Sequence, residues 1–217
     1  MKRIGIIAFC GSKGSGKSTS AMVFKDLIGV PTEEIAIAGH LKEACARVFN
    51  IDYNKFIDPA LKEVELEECI VLDRKNLEAL MKEFFVQDYT YDTHIRQHIA
   101  RVLRTPRALL QYIGTEVLHP IDPLIHVRVA MKKKDPSKLT IITDLRFVAE
   151  FEYFTAQENF VPVYVKNTQA EIRASVDGHA SERQFENFRT KCRYLNNEGS
   201  LTELSWSLGS FIEGVYE

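Results

Sequence analysis

From residue 2 to residue 10 the chain is almost continuously apolar, the pattern of a strand buried on both faces of a parallel sheet. Two further runs of this kind follow, Lys138 to Thr143 and Phe160 to Lys166. Shorter strands are predicted at Glu34 to Ala38, ended by Gly39, and at Cys192 to Leu195. Between the strands the apolar spacing turns helical. Helices are predicted at Ser18 to about Ile28, His40 to Phe49, Arg74 to Phe85, Thr93 to Leu103, Leu124 to Lys134, Phe147 to Glu158, Thr168 to Val176 and about Ser200 to Val215. The Arg74 helix carries Leu77, Leu80, Met81 and Phe84 on one face. Another helix opens at Thr105-Pro106, with threonine as cap and proline in the first position. From about 50 to 72 the pattern is irregular, with Pro59 and a charged cluster from Lys62 to Glu68.

Strands that alternate with helices predict an α/β protein: a five-stranded parallel sheet in a three-layer α/β/α arrangement. Residues from about 50 to 135 carry too few strands for the sheet. They are expected to form a helical lobe over the carboxyl ends of the strands, where such sheets bind ligands. The core is then expected at about 1–49 and 136–217, within one domain of 217 residues.

The turn after the first strand reads Gly11-Ser12-Lys13-Gly14-Ser15-Gly16-Lys17-Ser18, followed by Thr19. This is a complete phosphate-binding loop, and the strand before it and the helix after it are the context it needs. Glycines let successive N–H groups turn toward a phosphate, and the helix N-terminus adds partial positive charge. Lys17 can reach the β- and γ-phosphates, and the Ser18 hydroxyl can take one position on Mg²⁺. The base-reading pattern Asn-Lys-x-Asp of GTPases is absent, which favours ATP.

Other candidates stand at predicted strand ends. Ile142-Thr143-Asp144-Leu145-Arg146 delivers a carboxylate at a strand tip, suited to orienting Mg²⁺ or its water shell. Arg146 projects from the same rim, where it can neutralise a transferring phosphoryl group; the alternative is a surface Asp–Arg pair. Lys42, in Ile37 to Glu43, is either a contact for an acceptor phosphate or an exposed helix lysine. Arg107 and Gln111 share one helix face, suited to a phosphate and to a base edge, though alone they read as surface residues. Gly178-His179-Ala180-Ser181-Glu182-Arg183, with Arg173 before it, is either an arginine-bearing segment that folds over phosphates or a plain loop. His94 and His98 lie four apart, but no glutamate follows the first and no third ligand suggests itself, so a metal site is not expected. His119 is assigned to local packing or a cap, and Phe84, Phe85, Tyr89 and Tyr91 to core or lobe packing, with stacking of one of them on a base as the alternative.

A net charge of −2 argues against a nucleic-acid partner and for a small phosphorylated molecule. Lys132 to Lys134 reads as a solvated helix end. The four cysteines are scattered without a Cys-x-x-Cys pair, which fits a reducing interior. No apolar run approaches the ~20 residues of a membrane span, and the first strand leads directly into the phosphate loop without a signal-peptide pattern. A cytoplasmic protein without a membrane partner is expected. A homodimer is compatible with the sequence, and exposure of an apolar helix face would decide it.

In order along the chain, Gly11–Thr19, Ala38-Gly39 to Lys42-Glu43, Arg107 through Leu109-Leu110-Gln111 to Gly114-Thr115, Thr143-Asp144-Leu145-Arg146, His179-Ala180-Ser181-Glu182 and Asn197-Glu198-Gly199-Ser200-Leu201 resemble the deoxynucleoside monophosphate kinases of tailed bacteriophages. The resemblance implies a nucleoside monophosphate kinase-like fold with a small lid at about 170–190. The implied reaction is ATP + dNMP → ADP + dNDP, in the supply of deoxynucleotides for DNA synthesis in the host cytoplasm. Gly11, Lys13, Gly14, Ser15, Gly16, Lys17, Ser18 and Thr19 would bind ATP, with the Asn197–Gly199 turn near its base. Ser18 and Asp144 would serve Mg²⁺, directly or through water. Lys42, Glu43, Arg107, Gln111, Asp144, Arg146, His179 and Glu182 would form the substrate site. Lys17, Arg146 and Arg183 would carry the transfer, with Arg173 as the other lid arginine. Two rivals stay open. A dephospho-coenzyme A kinase of the same fold has a hydroxyl acceptor and needs a carboxylate base, a part Asp144 can fill. An ATP-dependent switch or binding module would hydrolyse slowly without a small acceptor.

Overall fold

All five residues of the first strand are buried, and the sheet grows outward from it on both sides. In the computed structural model, residues 4–85, 92–177 and 187–216 are described. The strands are β1 (Ile6–Cys10), β2 (Thr32–Glu34), β3 (Ile70–Val71), β4 (Val102–Leu103), β5 (Leu139–Ile142), β6 (Phe160–Lys166) and β7 (Arg193–Asn196). The helices are α1 (Lys17–Ile28), α2 (Gly39–Val48), α3 (Asn54–Ile57), α4 (Arg74–Glu83), α5 (Asp92–Arg96), α6 (Pro106–Gln111), α7 (Ile125–Met131), α8 (Val148–Thr155), α9 (Thr168–Asp177) and α10 (Leu201–Tyr216). The chain divides into two units, Met1–Ile37 with Met131–Glu217, and Ala38–Ala130.

In the first unit five parallel strands lie in the order β2-β5-β1-β6-β7. Ile7 is in register with Ile141 and Val161, so the three share one face. There they pack with Phe9, with Ala21, Val23 and Phe24 of α1 and with Leu204 and Leu208 of α10. The alternate residues face the other way. Ile6 is in register with Phe160, whose ring meets Phe151 and Phe154 of α8. Tyr164, opposite Cys10, donates its hydroxyl hydrogen to Glu171 of α9 at 2.6 Å. Helices therefore cover both faces of a five-stranded parallel sheet, the architecture the apolar runs predict. Strand β2 lies earlier than the expected Glu34–Ala38. Ile35 N–H still pairs with Ile141 O, but Ile37 N–H goes to the Asp144 carboxylate at 2.8 Å and the chain leaves the sheet.

The second unit is helical, with β3 and β4 as a small antiparallel pair. Leu77, Leu80, Met81 and Phe84 form the buried face expected of α4, packed with Leu41, Ala44 and Cys45 of α2 and with Leu109 and Ile113. The sequence put the border between core and lobe near 50 and 136; contacts put it at 38 and 131, because α2 buries its apolar face in this second core. The helix expected over Thr93–Leu103 is corrected as well. α5 ends at Arg96, Ala100 turns at φ +67°, and Val102–Leu103 pairs with Ile70–Val71. Two backbone bonds, Ala100 N–H to Leu72 O and Leu72 N–H to Arg101 O, close that turn around a partner some thirty residues upstream. Thr105 caps α6 by accepting from Ala108 N–H at 3.1 Å, with Pro106 in the first position. α6 runs on into a π-helical turn, Tyr112–Leu118, a form frequent near functional sites. No helix among the described residues is long and apolar enough to cross a membrane.

Candidate functional site

β1 ends at Cys10, and the next six residues form a loop that only glycine permits at two points. Gly11 has φ +141°, and a Cβ there would lie 2.7 Å from Val165 O and 2.9 Å from Ser15 Oγ. Gly16 has φ +91°, and a Cβ there would lie 2.1 Å from Asn197 Nδ2. Ser15 N–H donates to Ser12 O and closes the turn, and α1 starts at Lys17 with Gly16 as its cap. The Lys17 ammonium donates to Gly11 O at 2.8 Å and Ser12 O at 2.7 Å, so the charge stands over the loop's own carbonyls. Ser12 and Ser15 are buried, whereas Lys13, Gly14, Ser18 and Thr19 are exposed. Cys10, immediately before the loop, lies 3.7 Å from Cys192, sulfur to sulfur; that hydrogen bond and burial hold its thiol well above the usual range.

The ends of β5 and β7 add two further groups. Asp144 accepts from Ile37 N–H through Oδ1, Leu145 is buried, and Arg146 is exposed. Beneath them Glu150, 3% exposed, accepts from Arg146 N–H at 2.9 Å and Phe147 N–H at 3.0 Å through one oxygen. Burial pushes the Glu150 carboxyl up to about 7; the nearby Asp144 charge adds to this and the two amide donors oppose it. Sequence reasoning passed over Glu150, because the N-cap here is Phe147, which has no side-chain acceptor, so only the glutamate half of a capping box is present. At β7 the Asn197 side chain donates to Ser15 O at 2.7 Å, inside the phosphate loop. Asn167, also missed, donates from Nδ2 to Asn197 O at 2.6 Å.

The remaining candidates belong to the second unit. Lys42 and Glu43 lie on α2, Arg107 and Gln111 lie one turn apart on α6, and these two helices pack together. Lys42, Arg107 and Gln111 are half-buried. Arg107 forms an ion pair with Glu63, and its N–H donates to Lys62 O at 3.0 Å, so the irregular charged segment is docked on α6. His40 donates from Nε2 to Glu83 O at 2.8 Å, and the Phe84 ring stands edge-on to both His40 and His126. Burial drives the His126 imidazole down to about 4, so it is neutral near pH 7. His94 bonds Val117 O at 2.7 Å, and His98 bonds the Tyr112 hydroxyl at 3.0 Å. Arg173 is exposed on α9. His179, Glu182 and Arg183 lie outside the described residues, as do Tyr89 and Tyr91. The structure thus gathers Lys17, Ser18, Asp144, Arg146 and Asn197 at the carboxyl edge of one sheet, and Lys42, Glu43, Arg107 and Gln111 on two neighbouring helices of the other unit.

Ser18 and Asp144 offer a hydroxyl and a carboxylate, oxygen donors of the kind Mg²⁺ takes. Among the described residues no group of three or more His, Cys, Asp or Glu could hold a metal alone.

A five-stranded parallel sheet with helices on both faces, and a phosphate loop between its central strand and first helix, defines an α/β P-loop protein. No family model matches the chain. A protein of Acanthamoeba polyphaga mimivirus, provisionally named a deoxynucleotide monophosphate kinase, is 24% identical over 224 residues, covering 97% of both sequences. A dephospho-CoA kinase from Campylobacter jejuni aligns over 97% of both chains at 12% identity with a TM-score of 0.39, and at that score the likeness carries no argument.

Proposed function

We propose that this chain is a kinase that moves the γ-phosphoryl group of ATP onto the phosphate of a deoxynucleoside monophosphate. The observation that carries the reading is the phosphate loop, with Lys17 held 2.7–2.8 Å from two loop carbonyls at the sheet edge that also bears Asp144 and Arg146. The name of the mimivirus relative supports the nature of the acceptor.

An acceptor phosphate oxygen attacks the γ-phosphorus, the bond to the β,γ-bridging oxygen breaks, and ADP leaves with that electron pair. No general base is required, because the attacking oxygen is already anionic. Catalysis is then a matter of placement and charge. Lys17 leaves its two carbonyl partners for the β- and γ-phosphates, and the amides of residues 13 to 19 surround them. Arg146 and Arg183 meet the charge on the transferring group. Lys42 and Arg107 take the acceptor phosphate, which replaces Glu63 on the Arg107 guanidinium. Gln111 reads the base edge, with Glu43, His179 and Glu182 completing the acceptor site. Ser18 and Asp144 would hold Mg²⁺, directly or through water; when bound, the ion neutralises charge on the β- and γ-phosphates. Such an enzyme would work in the cytoplasm, supplying deoxynucleotides for DNA synthesis.

The test is ADP release from Mg·ATP with dAMP, dCMP, dGMP, dTMP, their ribose forms and dephospho-coenzyme A, against a control without acceptor. Fast turnover with one or more deoxynucleoside monophosphates is expected. Turnover confined to dephospho-coenzyme A would replace the acceptor, and slow release indifferent to every acceptor would replace the kinase with an ATP-dependent switch.

A further inference from the structure

The peptide between Ser15 and Gly16 joins the hydrogen-bonded turn of the phosphate loop to the start of α1. Gly16 carries no side chain, and Gly14 and Gly16 both sit at positive φ, at +81° and +91°. A peptide flanked by glycine can rotate about its own axis at small steric cost. Rotation would reverse both of its ends, because carbonyl and N–H point in opposite directions across a trans peptide. The Gly16 N–H would then leave the phosphate, and the Ser15 carbonyl oxygen would take its place.

One side chain is placed to oppose this. Asn197 Nδ2 donates to Ser15 O at 2.7 Å from 182 residues away in sequence, so the carbonyl is tied to the end of β7. Its contact with the next residue is equally close, since a Cβ at Gly16 would lie 2.1 Å from the same nitrogen. Asn197 is itself braced. Its N–H donates to Lys166 O at 2.9 Å, and its carbonyl accepts from Asn167 Nδ2 at 2.6 Å. Asn167 is held in turn, accepting from Ala170 N–H at 2.9 Å through Oδ1 at the start of α9. A chain of hydrogen bonds therefore runs from α9 through β6 and β7 into the phosphate loop.

We propose that Asn197 is a positioning residue that locks the Ser15–Gly16 peptide with its N–H toward the phosphate site, acting on the donor phosphates through the loop backbone and not through the nucleotide base. This departs from the placement of Asn197 beside the base that the family resemblance implies. It rests on the phosphate-loop part of the proposed function and is independent of which acceptor is used.

Inorganic tripolyphosphate separates the two roles, because it carries the phosphates without a base. Calorimetric titration of the wild-type chain, Asn197→Ala and Asn197→Asp with Mg²⁺ and either ATP or tripolyphosphate is the experiment. Alanine removes the donor, and aspartate keeps the shape while opposing an oxygen to the Ser15 carbonyl. Asparagine's loss is expected to weaken both ligands alike, by roughly tenfold for alanine, the value of one hydrogen bond, and more for aspartate. Thermal melting accompanies each titration; should the alanine variant not fold, the uncharged, shorter Asn197→Ser replaces it in both titrations, since the charge of aspartate would repel either ligand. Weakened ATP with unchanged tripolyphosphate would make Asn197 a base contact and overturn the inference, as would no change in either. A wild-type chain that binds neither ligand would overturn the phosphate-loop reading as well, which distinguishes the two failures.

Discussion

In the first unit Lys17, at the start of α1, and Asp144 and Asn197, just past strand ends, are held against backbone: Lys17 on Gly11 and Ser12 carbonyls, Asp144 on Ile37 N–H, Asn197 on Ser15 O. In the second unit Arg107 is held by another side chain, Glu63, and its neighbours Lys42 and Gln111 project from helices α2 and α6. The contrast bears on function. Asp144 and Asn197, anchored to backbone at the end of a parallel sheet, hold the frame of the site fixed, and on the proposed mechanism Lys17 exchanges its two loop carbonyls for phosphate oxygens within that frame. A guanidinium paired with an exposed carboxylate can exchange that partner for a phosphate, as acceptor capture and release require.

Lys17→Ala tests the first half of the contrast and carries the largest expected effect. Turnover should fall on the order of 10²–10³-fold, with acceptor KM nearly unchanged, in steady-state assays. Near-normal kcat would remove the phosphate loop from the mechanism.

The buried ionisable groups set the units against each other by pH. Glu150 has its carboxyl pushed up from 4.5 to about 7, so between those values the unfolded chain has lost a proton that the folded chain retains. Stability from this group therefore falls as pH rises through that window, by roughly 3 kcal/mol, since each pKa unit is worth about 1.4 kcal/mol. Glu150→Gln keeps an acceptor for the Arg146 and Phe147 amides and removes the titration. Its stability relative to wild type, from urea midpoints at pH 5 and pH 8, should rise with pH. His126 in the other unit works in the opposite sense. Its imidazole is depressed from 6.5 to about 4, so the unfolded chain binds a proton first and stability falls as pH drops through that range. Parallel pH curves for wild type and Glu150→Gln would show that burial of Glu150 has no such consequence.

Arg107→Ala tests the second half and carries the smallest effect. Loss of one charge-assisted contact, worth about 1.5–3 kcal/mol, should raise acceptor KM by roughly 10–100-fold and leave the ATP KM alone. An unchanged acceptor KM would take α6 out of the acceptor site.

The same contrast governs how much could be read in advance. The phosphate loop is eight consecutive residues, and its demands at Gly11 and Gly16 are largely local, so it is legible residue by residue. The buried strands are legible because burial on both faces leaves an unbroken apolar run. The pair β3–β4 is not, since Val102–Leu103 extends a helical pattern until Ile70–Val71 is placed beside it. Glu63 on Arg107 is illegible for a related reason: a charged cluster in an irregular segment has no periodicity to say which charge meets which.

Sequence alone determined the five strands, the helices that cover them and the loop between β1 and α1. Each of these is written in periodicity or in contiguous residues, where local sterics and burial act on near neighbours. Only the tertiary structure decided that α2 joins the second core, that Glu150 lies buried beneath Arg146, and that Asn197 reaches Ser15 across 182 residues. Such contacts depend on which strand ends become neighbours, and that is settled by the packing of the whole sheet rather than by any short stretch of chain.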